Sequence, residues 1–380
     1  MDYARRLTGL HEQMQRHGLA LVAYGPSADF QYLTGLPLDG RSDADEGRSA
    51  AAVFVPAGAE PVLVLPEAGG ELGGDSWITE VRTFEAGADT DGLLRQIRRD
   101  IDATGGGIAL GKGLSDCWAA GLRALAGAAE VREAAGLMDA LRMIKEPEEV
   151  ERLRRVARLT DEVFEAVVGR VREGITQPEL EEEIEREGRR LGASGVSFSP
   201  TVIFTKSGSE PAPEPFVYPR DEGLVAGTSV AFDMGFVMDG YCSDFGRSLY
   251  FGGAPDDIRG AYEALQQSVV ETVGAMRDGG MRLCDLFPAV ERALDERGYG
   301  DYLRARLPGK VLGHNIGVDV HEDPWIAPAC REPLRANMVM ALEPKLWRSG
   351  EYYLRVEDIV RVGETGSEFL TTFDRNVFEL

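Results

Sequence analysis

One segment, residues 231–248, limits what this chain can fold into more than any other part of the sequence. It reads AFDMGFVMDGYCSDFGRS, which is an apolar run, an Asp239-Gly240 pair and a second run. Asp-Gly between two such runs is a strong hairpin signal, because both turn positions of a tight hairpin need positive φ angles. The segment therefore predicts two antiparallel strands joined at that pair.

The expected hairpin brings two aspartates to one face of a sheet. With this turn, Asp233 lies opposite Gly246 and Asp244 becomes its diagonal neighbour. Diagonal neighbours are about 7–8 Å apart at Cα, so both carboxylates can reach one small ion. Without a cation, two ionised carboxylates on an apolar face repel each other and lose hydration. This segment alone leaves two interpretations open: a divalent metal site, or two solvated aspartates.

Two further acidic residues stand inside apolar runs near the C-terminus. Glu343 lies in NMVMALEP and Glu357 in YLRVEDIVRV, and both runs read as buried strands. Glutamate is almost never fully buried without a partner. The runs are joined through Ser349-Gly350, and an odd number of loop residues would set the two glutamates opposite each other on one face. An even number would turn them to opposite faces.

Histidine is scarce, with four in the chain. His314 and His321 both fall in VLGHNIGVDVHEDP, a glycine-rich stretch without a helical pattern. Imidazole is the commonest metal ligand, and the glycine before His314 leaves its ring accessible. Taken singly, either histidine is more often structural.

Together, these residues predict a metal centre. Two aspartates, two glutamates and one histidine carry four negative charges, which two divalent cations would balance. Oxygen-rich ligand sets with one imidazole favour manganese, iron or cobalt, with zinc as a further option. Two ions about 3.5–4 Å apart share a water, lower its pKa and polarise a carbonyl. We therefore expect two divalent metal ions as cofactors, with manganese as the first candidate.

At 380 residues the chain is too long for one ordinary core, so two domains are expected. Residues 1–145 alternate strand and helix patterns, which is typical of a small α/β domain. The pattern changes near RMIKEPEEVE, where Pro147 begins a long amphipathic run. We expect a helix there, a second helix from Gln177 to Leu191, and an α+β domain over residues 146–380.

Charge and composition disfavour several classes of protein. Lys and Arg total 41 against 64 Asp and Glu, and the net charge of −23 argues against nucleic acid and anionic membranes as partners. The four cysteines lack CxxC spacing, so a disulfide framework or a zinc knuckle is not expected. The N-terminal run is a charged amphipathic helix instead of a signal peptide, and no apolar stretch is long enough to span a bilayer. We expect a cytoplasmic location.

On these motifs the sequence resembles the pita-bread metallopeptidase family of aminopeptidase P, prolidase and methionine aminopeptidase, with creatinase as a relative. DMG…SDFGRS is similar to the family's DAG…ADITRT, and GHNIGVDVHEDP to GHGIGLxVHExP. ALEP is similar to the EPG block, and LRVEDIV to VRIEDxV. The N-terminal YLTG and the RxIKEPEE linker resemble the two-domain members. The resemblance covers essentially the whole chain.

The resemblance implies a fold, a ligand set and a reaction. The fold would be an α/β creatinase-like domain followed by an α+β pita-bread domain. The metal ligands would be Asp233, Asp244, His314, Glu343 and Glu357. Glu343 would also serve as the general base and His321 would stabilise the developing oxyanion, with Arg355 beside Glu357. The substrate would be a small peptide or another small molecule. The reaction would be hydrolysis of the amide bond before proline, in a homodimer whose N-terminal domain helps close the partner's site.

Four positions depart from the family pattern, all in the expected pocket. Phe216 stands where active peptidases carry a histidine, so one hydrogen bond to the substrate is lost unless Tyr218 or Lys206 supplies it. Loss of one such donor costs on the order of 10²–10³ in rate. The other three are Met234 for the usual small residue, Gly246 for a threonine and Lys345 for the glycine of EPG.

Three functions are compatible with these features. The first is a dinuclear Xaa-Pro peptidase of the prolidase or aminopeptidase P type, and it is our preferred expectation. The second keeps the metals and the fold but hydrolyses a non-peptide C–N bond, or cleaves a small metabolite as a lyase; Phe216 favours it. The third is a catalytically dead relative, and the retention of all five ligands argues against it.

Overall fold

The computed structural model describes residues 1–37, 51–67, 75–85, 90–100, 106–126 and 129–380. The chain divides into two compact units, Met1–Arg142 and Met143–Leu380. The sequence pattern predicts the boundary near residue 145. No helix among the described residues is long and apolar enough to cross a bilayer.

Unit 1 is built around a mixed sheet. Its elements are α1 (Tyr3–Arg16), β1 (Leu19–Tyr24), α2 (Ala28–Thr34), β2 (Ala52–Pro56), β3 (Val62–Pro66), β4 (Glu80–Phe84), α3 (Thr90–Asp100), β5 (Gly107–Leu110), α4 (Asp116–Ala126), β6 (Val131–Glu133) and α5 (Asp139–Met143), whose last residue belongs to unit 2. The six strands within the described part of unit 1 lie in the order β4-β3-β2-β1-β5-β6. Strand β1 runs antiparallel to β2 and parallel to β5. The buried core centres on Trp118, which meets Phe54 and Phe84 edge-on.

Unit 2 holds the remaining elements. They are α6 (Pro147–Val168), α7 (Gln177–Leu191), β7 (Gly195–Val196), β8 (Thr201–Lys206), β9 (Thr228–Met234), β10 (Phe236–Met238), β11 (Tyr241–Cys242), β12 (Phe245–Phe251), α8 (Asp256–Ala275), α9 (Leu283–Asp295), α10 (Gly300–Arg306), β13 (Gly313–Asn315), β14 (Glu322–Ile326), β15 (Val339–Leu342), β16 (Lys345–Arg348), β17 (Tyr352–Arg361) and β18 (Glu368–Phe369).

The main sheet of unit 2 has nine strands. Seven follow the order β14-β13-β15-β17-β12-β9-β8, and β16 and β18 also pair with β17. A smaller sheet joins β11, β10 and β7. Because the long strand β17 pairs with four neighbours, it is the strand through which distant segments meet.

Helices α6 and α7 start where the sequence predicts, for a local chemical reason. In α6, Pro147 occupies the first turn, and the side chain of Glu149 accepts a hydrogen bond from the Glu146 N–H at 2.9 Å. In α7, Thr176 and Glu179 form the reciprocal capping box. The predicted bounds of α7, Gln177–Leu191, are confirmed.

The helices of unit 2 cover one face of the main sheet. Phe232 and Met234 of β9 pack into the core formed with α6 and α7. Leu354 and Val356 of β17 pack into the core formed with α8 and α9. Since successive side chains of a strand alternate between faces, Asp233 and the odd-numbered residues of β17 point to the opposite face.

Candidate metal centre

The predicted hairpin is present with the predicted register. Asp239 and Gly240 have φ angles of 50° and 75°, which the tight turn requires. Across β9 and β12, Asp233 pairs with Gly246. The predicted pairing of Asp233 with Gly246 is therefore confirmed.

Strand β17 adds Glu357 to the same row of residues. Gly246 pairs with Asp233 on one side and with Glu357 on the other. The two acidic side chains thus flank a residue that has no side chain of its own. The space that a side chain would take is filled by the Arg355 guanidinium, whose Nε a Cβ at Gly246 would overlap.

The second glutamate reaches the row through an odd-numbered loop. The β16–β17 ladder ends with Arg348 paired to Tyr352, which leaves residues 349–351 in the loop. The pairs on either side of Glu343 keep the same register, so it stands opposite Glu357. The sequence is compatible with an odd or an even loop, and the structure has the odd one.

The side chains meet in two overlapping groups. Asp233, Asp244 and Glu357 place ligand atoms within 4.8 Å of one another, and so do Asp244, His314 and His321. Asp244 is common to both groups. The resemblance implies that His321 contacts the substrate, and the structure also places it beside Asp244.

The imidazole of His314 connects these groups to the second glutamate. Its Nε2 lies 3.3 Å from Asp244 Oδ2 and 3.9 Å from Glu343 Oε1. Its Nδ1 lies 3.0 Å from the Asn315 carbonyl oxygen. That contact fixes the ring orientation, and it is how metal-binding imidazoles are usually held.

Burial makes the carboxylates costly to keep ionised without a cation. Asp244 is 4% exposed and Glu357 is 0% exposed. Burial raises the pKa of each of these two carboxyl groups well above the ordinary value, and neighbouring acidic residues raise both pKa values further. Among the described residues, Glu357 Oε1 is a buried oxygen without a hydrogen-bond partner. An orphaned carboxylate oxygen in an oxygen-rich cluster fits a divalent metal ion.

Two cations of the chain reach into the same cluster. The guanidinium of Arg355, which is 2% exposed, forms ion pairs with Asp233 and Glu357 and lies 3.6 Å from Glu343. The ammonium of Lys345 forms an ion pair with Glu343. Lys345 was recognised in the sequence only as a departure from the EPG pattern. Its contact with Glu343 is local, because the two residues are two positions apart in an extended segment and their side chains leave the same face.

His321 stands at the exposed side of the cluster. Its ring centroid is 4.5 Å from that of His314, and the ring stacks on Trp325 at 5.5 Å. Burial lowers the pKa of His321, and the nearby His314 lowers it further. The imidazole is therefore biased toward its neutral form, which donates through one nitrogen and accepts through the other. Sequence reasoning did not single out Trp325.

Phe216 also lies on the open side of the sheet. It is 51% exposed and meets Tyr353 edge-on, with ring centroids 6.3 Å apart. Tyr353 shares a strand face with Arg355 and Glu357, since all three are odd-numbered residues of β17. An aromatic ring thus stands where the family pattern has a hydrogen-bond donor.

Neither residue considered as a replacement donor is placed for that role. The Tyr218 hydroxyl donates to the Gly223 carbonyl at 2.9 Å. In β8, Thr201 pairs with Asp233 of β9. Lys206 is exposed and lies five residues further along β8. Five residues of strand span about 16 Å. The missing hydrogen bond is not restored by either side chain.

A buried network on the helix side supports β17 at the position of Glu357. Arg247 forms an ion pair with Asp358 at 2.5 Å and donates to the Glu357 carbonyl at 2.7 Å. Thr371 and Arg375 also bind Asp358, at 2.8 and 3.2 Å. Sequence reasoning missed this network. A charged Glu-Asp pair inside one apolar strand was its only sign.

Comparison with known proteins places this geometry in a family. Residues 151–364 match metallopeptidase family M24. Protein YkvY of Bacillus subtilis (strain 168), a dipeptidase by name, is 31% identical over 259 residues, or 68% of this chain and 69% of that protein.

Solved structures match along the whole chain. Dipeptidase PepE from Mycobacterium ulcerans is 27% identical with a TM-score of 0.80, and the match covers 99% of this chain and 97% of that one. An Xaa-Pro dipeptidase from Bacillus anthracis is 21% identical with a TM-score of 0.85, and the match covers 100% of both chains. This similarity shows a shared fold. The expected two-domain pita-bread fold is confirmed. The chain belongs to metallopeptidase family M24 and is a hydrolase of the metallopeptidase class.

Proposed function

We propose that this chain is a dinuclear metal-dependent Xaa-Pro peptidase of the prolidase or aminopeptidase P type, which hydrolyses the amide bond before proline. The observation that carries the proposal is the convergence of four carboxylates and His314 on the open face of one sheet. The unpartnered Glu357 Oε1 supports a cation at this position. Family membership supports the reaction class.

In this proposal five residues hold the two ions: Asp233, Asp244, His314, Glu343 and Glu357. Divalent ions bound there lower the pKa of a water and polarise the scissile carbonyl. Manganese suits a set of four carboxylates and one imidazole, and cobalt, iron and zinc are alternatives. Arg355 orients Asp233 and Glu357 through its two ion pairs.

Glu343 has the environment that a general base needs. Its side chain is 18% exposed, so it is open to the substrate side of the cluster. Burial alone would raise its pKa, but the charges of Lys345 and Arg355 outweigh burial and lower the pKa. The carboxylate therefore stays ionised at neutral pH and can accept a proton from the attacking water.

His321 is proposed to stabilise the oxyanion that develops on the scissile carbonyl. A neutral imidazole can donate one N–H to that oxygen without adding charge to the cluster. The stacking contact with Trp325 holds the ring in place. Assembly into a homodimer and location in the cytoplasm stay predictions that come from the resemblance and the composition.

The test combines metal analysis with peptide hydrolysis. The purified chain is loaded with Mn²⁺ and assayed on Xaa-Pro dipeptides and on longer peptides with proline in the second position. Glu357→Gln should lower kcat/KM by more than the 10–100-fold that is typical for residues outside the ligand shell. Glu364→Gln, on an exposed loop, is the matched control and should leave it unchanged. Bound metal without turnover of any Xaa-Pro peptide contradicts the proposal.

One observation favours a second function, which is action on a small non-peptide metabolite by C–N hydrolysis or lyase chemistry. Phe216 offers an apolar ring in place of a hydrogen-bond donor, and no replacement donor stands nearby among the residues considered. Phe216→His discriminates the two functions within the same assay. Peptidase activity that is present only in this variant would assign the natural chain to the second function.

A further inference from the structure

An arginine without a carboxylate partner stands beside the open face of the main sheet. Arg306 is the last residue of α10 and is half-buried. Within the described part of the chain, no ion pair or hydrogen bond reaches its guanidinium, and its Nε is buried without a partner. In a protein with 64 acidic and 41 basic residues, an arginine that meets no acidic side chain calls for an explanation.

A second arginine of the same helix shows the contrast. The guanidinium of Arg304 pairs with three carboxylates, those of Glu291, Asp295 and Asp301, at 3.3, 3.0 and 2.7 Å. Residues two positions apart on a helix do not face the same side. Arg306 therefore points away from this acidic group.

The contacts of Arg306 are aromatic. Its Cζ lies 5.8 Å from the ring centroid of Phe216 and 5.3 Å from that of Tyr353. Such cation–π contacts hold a guanidinium in place and leave its in-plane N–H groups free to donate. Because Phe216 is 51% exposed, a ligand can reach this cluster from solvent.

The cluster lies on the same face as the metal centre but at a distance from it. Tyr353 and Glu357 are both odd-numbered residues of β17, so they share the open face. The four strand positions between them span about 13 Å. An extended peptide covers about 3.3–3.6 Å per residue, so roughly three to four residues bridge this distance.

We propose that Arg306 is a specificity-determining residue that binds the C-terminal carboxylate of a short peptide, while Phe216 and Tyr353 hold its guanidinium at the open face. A planar guanidinium donates two parallel hydrogen bonds to a carboxylate. The inference rests on the proposed function for the position of the scissile bond. It narrows the substrate class to peptides with roughly three to four residues after that bond, because a dipeptide is too short to reach Arg306.

The experiment is a calorimetric titration of the Mn²⁺-loaded full chain with the peptide Pro-Ala-Ala and with its C-terminal amide. Neither peptide has an amide bond before proline, so turnover does not disturb the readout. The wild type should bind the acid about tenfold or more tightly than the amide, where tenfold corresponds to about 1.4 kcal/mol. Arg306→Met should weaken binding of the acid by about the same factor, and should change binding of the amide by less than about threefold.

Three further measurements make the result specific. Arg304→Met removes an arginine of the same helix that already has carboxylate partners, and it should leave the acid preference unchanged. Arg306→Lys keeps the charge but not the planar fork, so it should retain part of the preference. The ratio of proline to prolinamide binding should not respond to Arg306→Met. Arg306→Gln serves if the methionine variant fails to fold, as judged by circular dichroism.

Three results would overturn the inference. The first is a wild type that binds the acid no better than the amide, or binds neither. The second is an Arg306→Met variant that loses acid and amide binding equally, and the third is an effect confined to proline itself. Hydrolysis of Ala-Pro-Ala-Ala is measured separately. Acid preference without turnover contradicts the peptidase function alone, and turnover without acid preference contradicts only the role of Arg306.

Discussion

Gly246 is the residue whose small size lets Arg355 lie between Asp233 and Glu357. It lies between Asp233 and Glu357 on the central strand β12. A Cβ at this position would overlap the Arg355 Nε and come within 2.7 Å of Glu357 Oε2. The glycine is therefore required for space and not for an unusual backbone angle, since it is absent from the residues with positive φ.

Gly246→Ala should consequently destabilise unit 2. The added methyl displaces the Arg355 guanidinium from its two carboxylate partners, of which Glu357 is buried and Asp233 is 29% exposed. We expect a loss of about 1–3 kcal/mol in the free energy of unfolding, as is typical of overpacking. Urea denaturation measures it.

The matched control is Gly195→Ala. Gly195 also lies in a strand, and a Cβ there would have no atom within 4 Å. This control should leave the free energy of unfolding unchanged or slightly higher. Equal effects of the two substitutions would show that Gly246 is not needed for space.

At the scale of strands and helices, local signals carried most of what the sequence predicted. The Asp-Gly turn determines the β9–β12 register, and the capping residues around Pro147 and Thr176 determine where α6 and α7 begin. Each of these signals acts over a few residues, so it can be read without knowing the fold.

The contacts that the sequence could not predict join segments that are far apart. Glu343 stands opposite Glu357 only because the β16–β17 loop is odd-numbered. His321 approaches Asp244 because β13 pairs with both β14 and β15, with a register shift after His314. The Arg247–Asp358 pair joins residues 111 positions apart. No local pattern determines such pairings.

One helix–sheet contact gives a pH-dependent prediction. Glu368 of β18 accepts hydrogen bonds from Arg154 of α6 and Arg361 of β17, at 3.1 and 2.7 Å. The hydrogen bond from Arg154 is the largest of the effects that lower the pKa of Glu368. A carboxyl group whose folded pKa is lowered stabilises the fold above its unfolded pKa, and this contribution is lost as the pH falls through the folded pKa.

Glu368→Gln should therefore lower the free energy of unfolding at pH 7 by about 0.2–1 kcal/mol, the range for partly exposed ion pairs. The difference from wild type should shrink once the pH falls below about 4.5, the ordinary pKa of a glutamate. Chemical denaturation at several pH values measures it. Glu364→Gln, in the adjacent exposed loop, should show no such dependence, and a pH-independent Glu368→Gln effect would contradict the ion-pair explanation.

At the scale of the whole molecule, each unit has its own buried core. The core around Trp118 belongs to unit 1, and the two cores between the helices and one face of the main sheet belong to unit 2. The sequence predicted two domains because 380 residues exceed what one ordinary core supports. All the proposed metal ligands come from unit 2, so metal binding should stabilise that unit in particular.

Calorimetric unfolding of the full chain should accordingly show a metal-dependent transition from unit 2. At a free Mn²⁺ concentration 100 times the dissociation constant, the expected gain is about 2.7 kcal/mol. For a unit of this size that raises the midpoint by about 5–10 °C relative to a chelator-treated sample. Asp244→Asn removes the ligand shared by both groups and should abolish the shift, whereas Trp118→Phe should lower only the unit 1 transition. A chelator that leaves every transition unmoved, in a protein shown to be metal-loaded, would contradict the placement of the metal centre in unit 2.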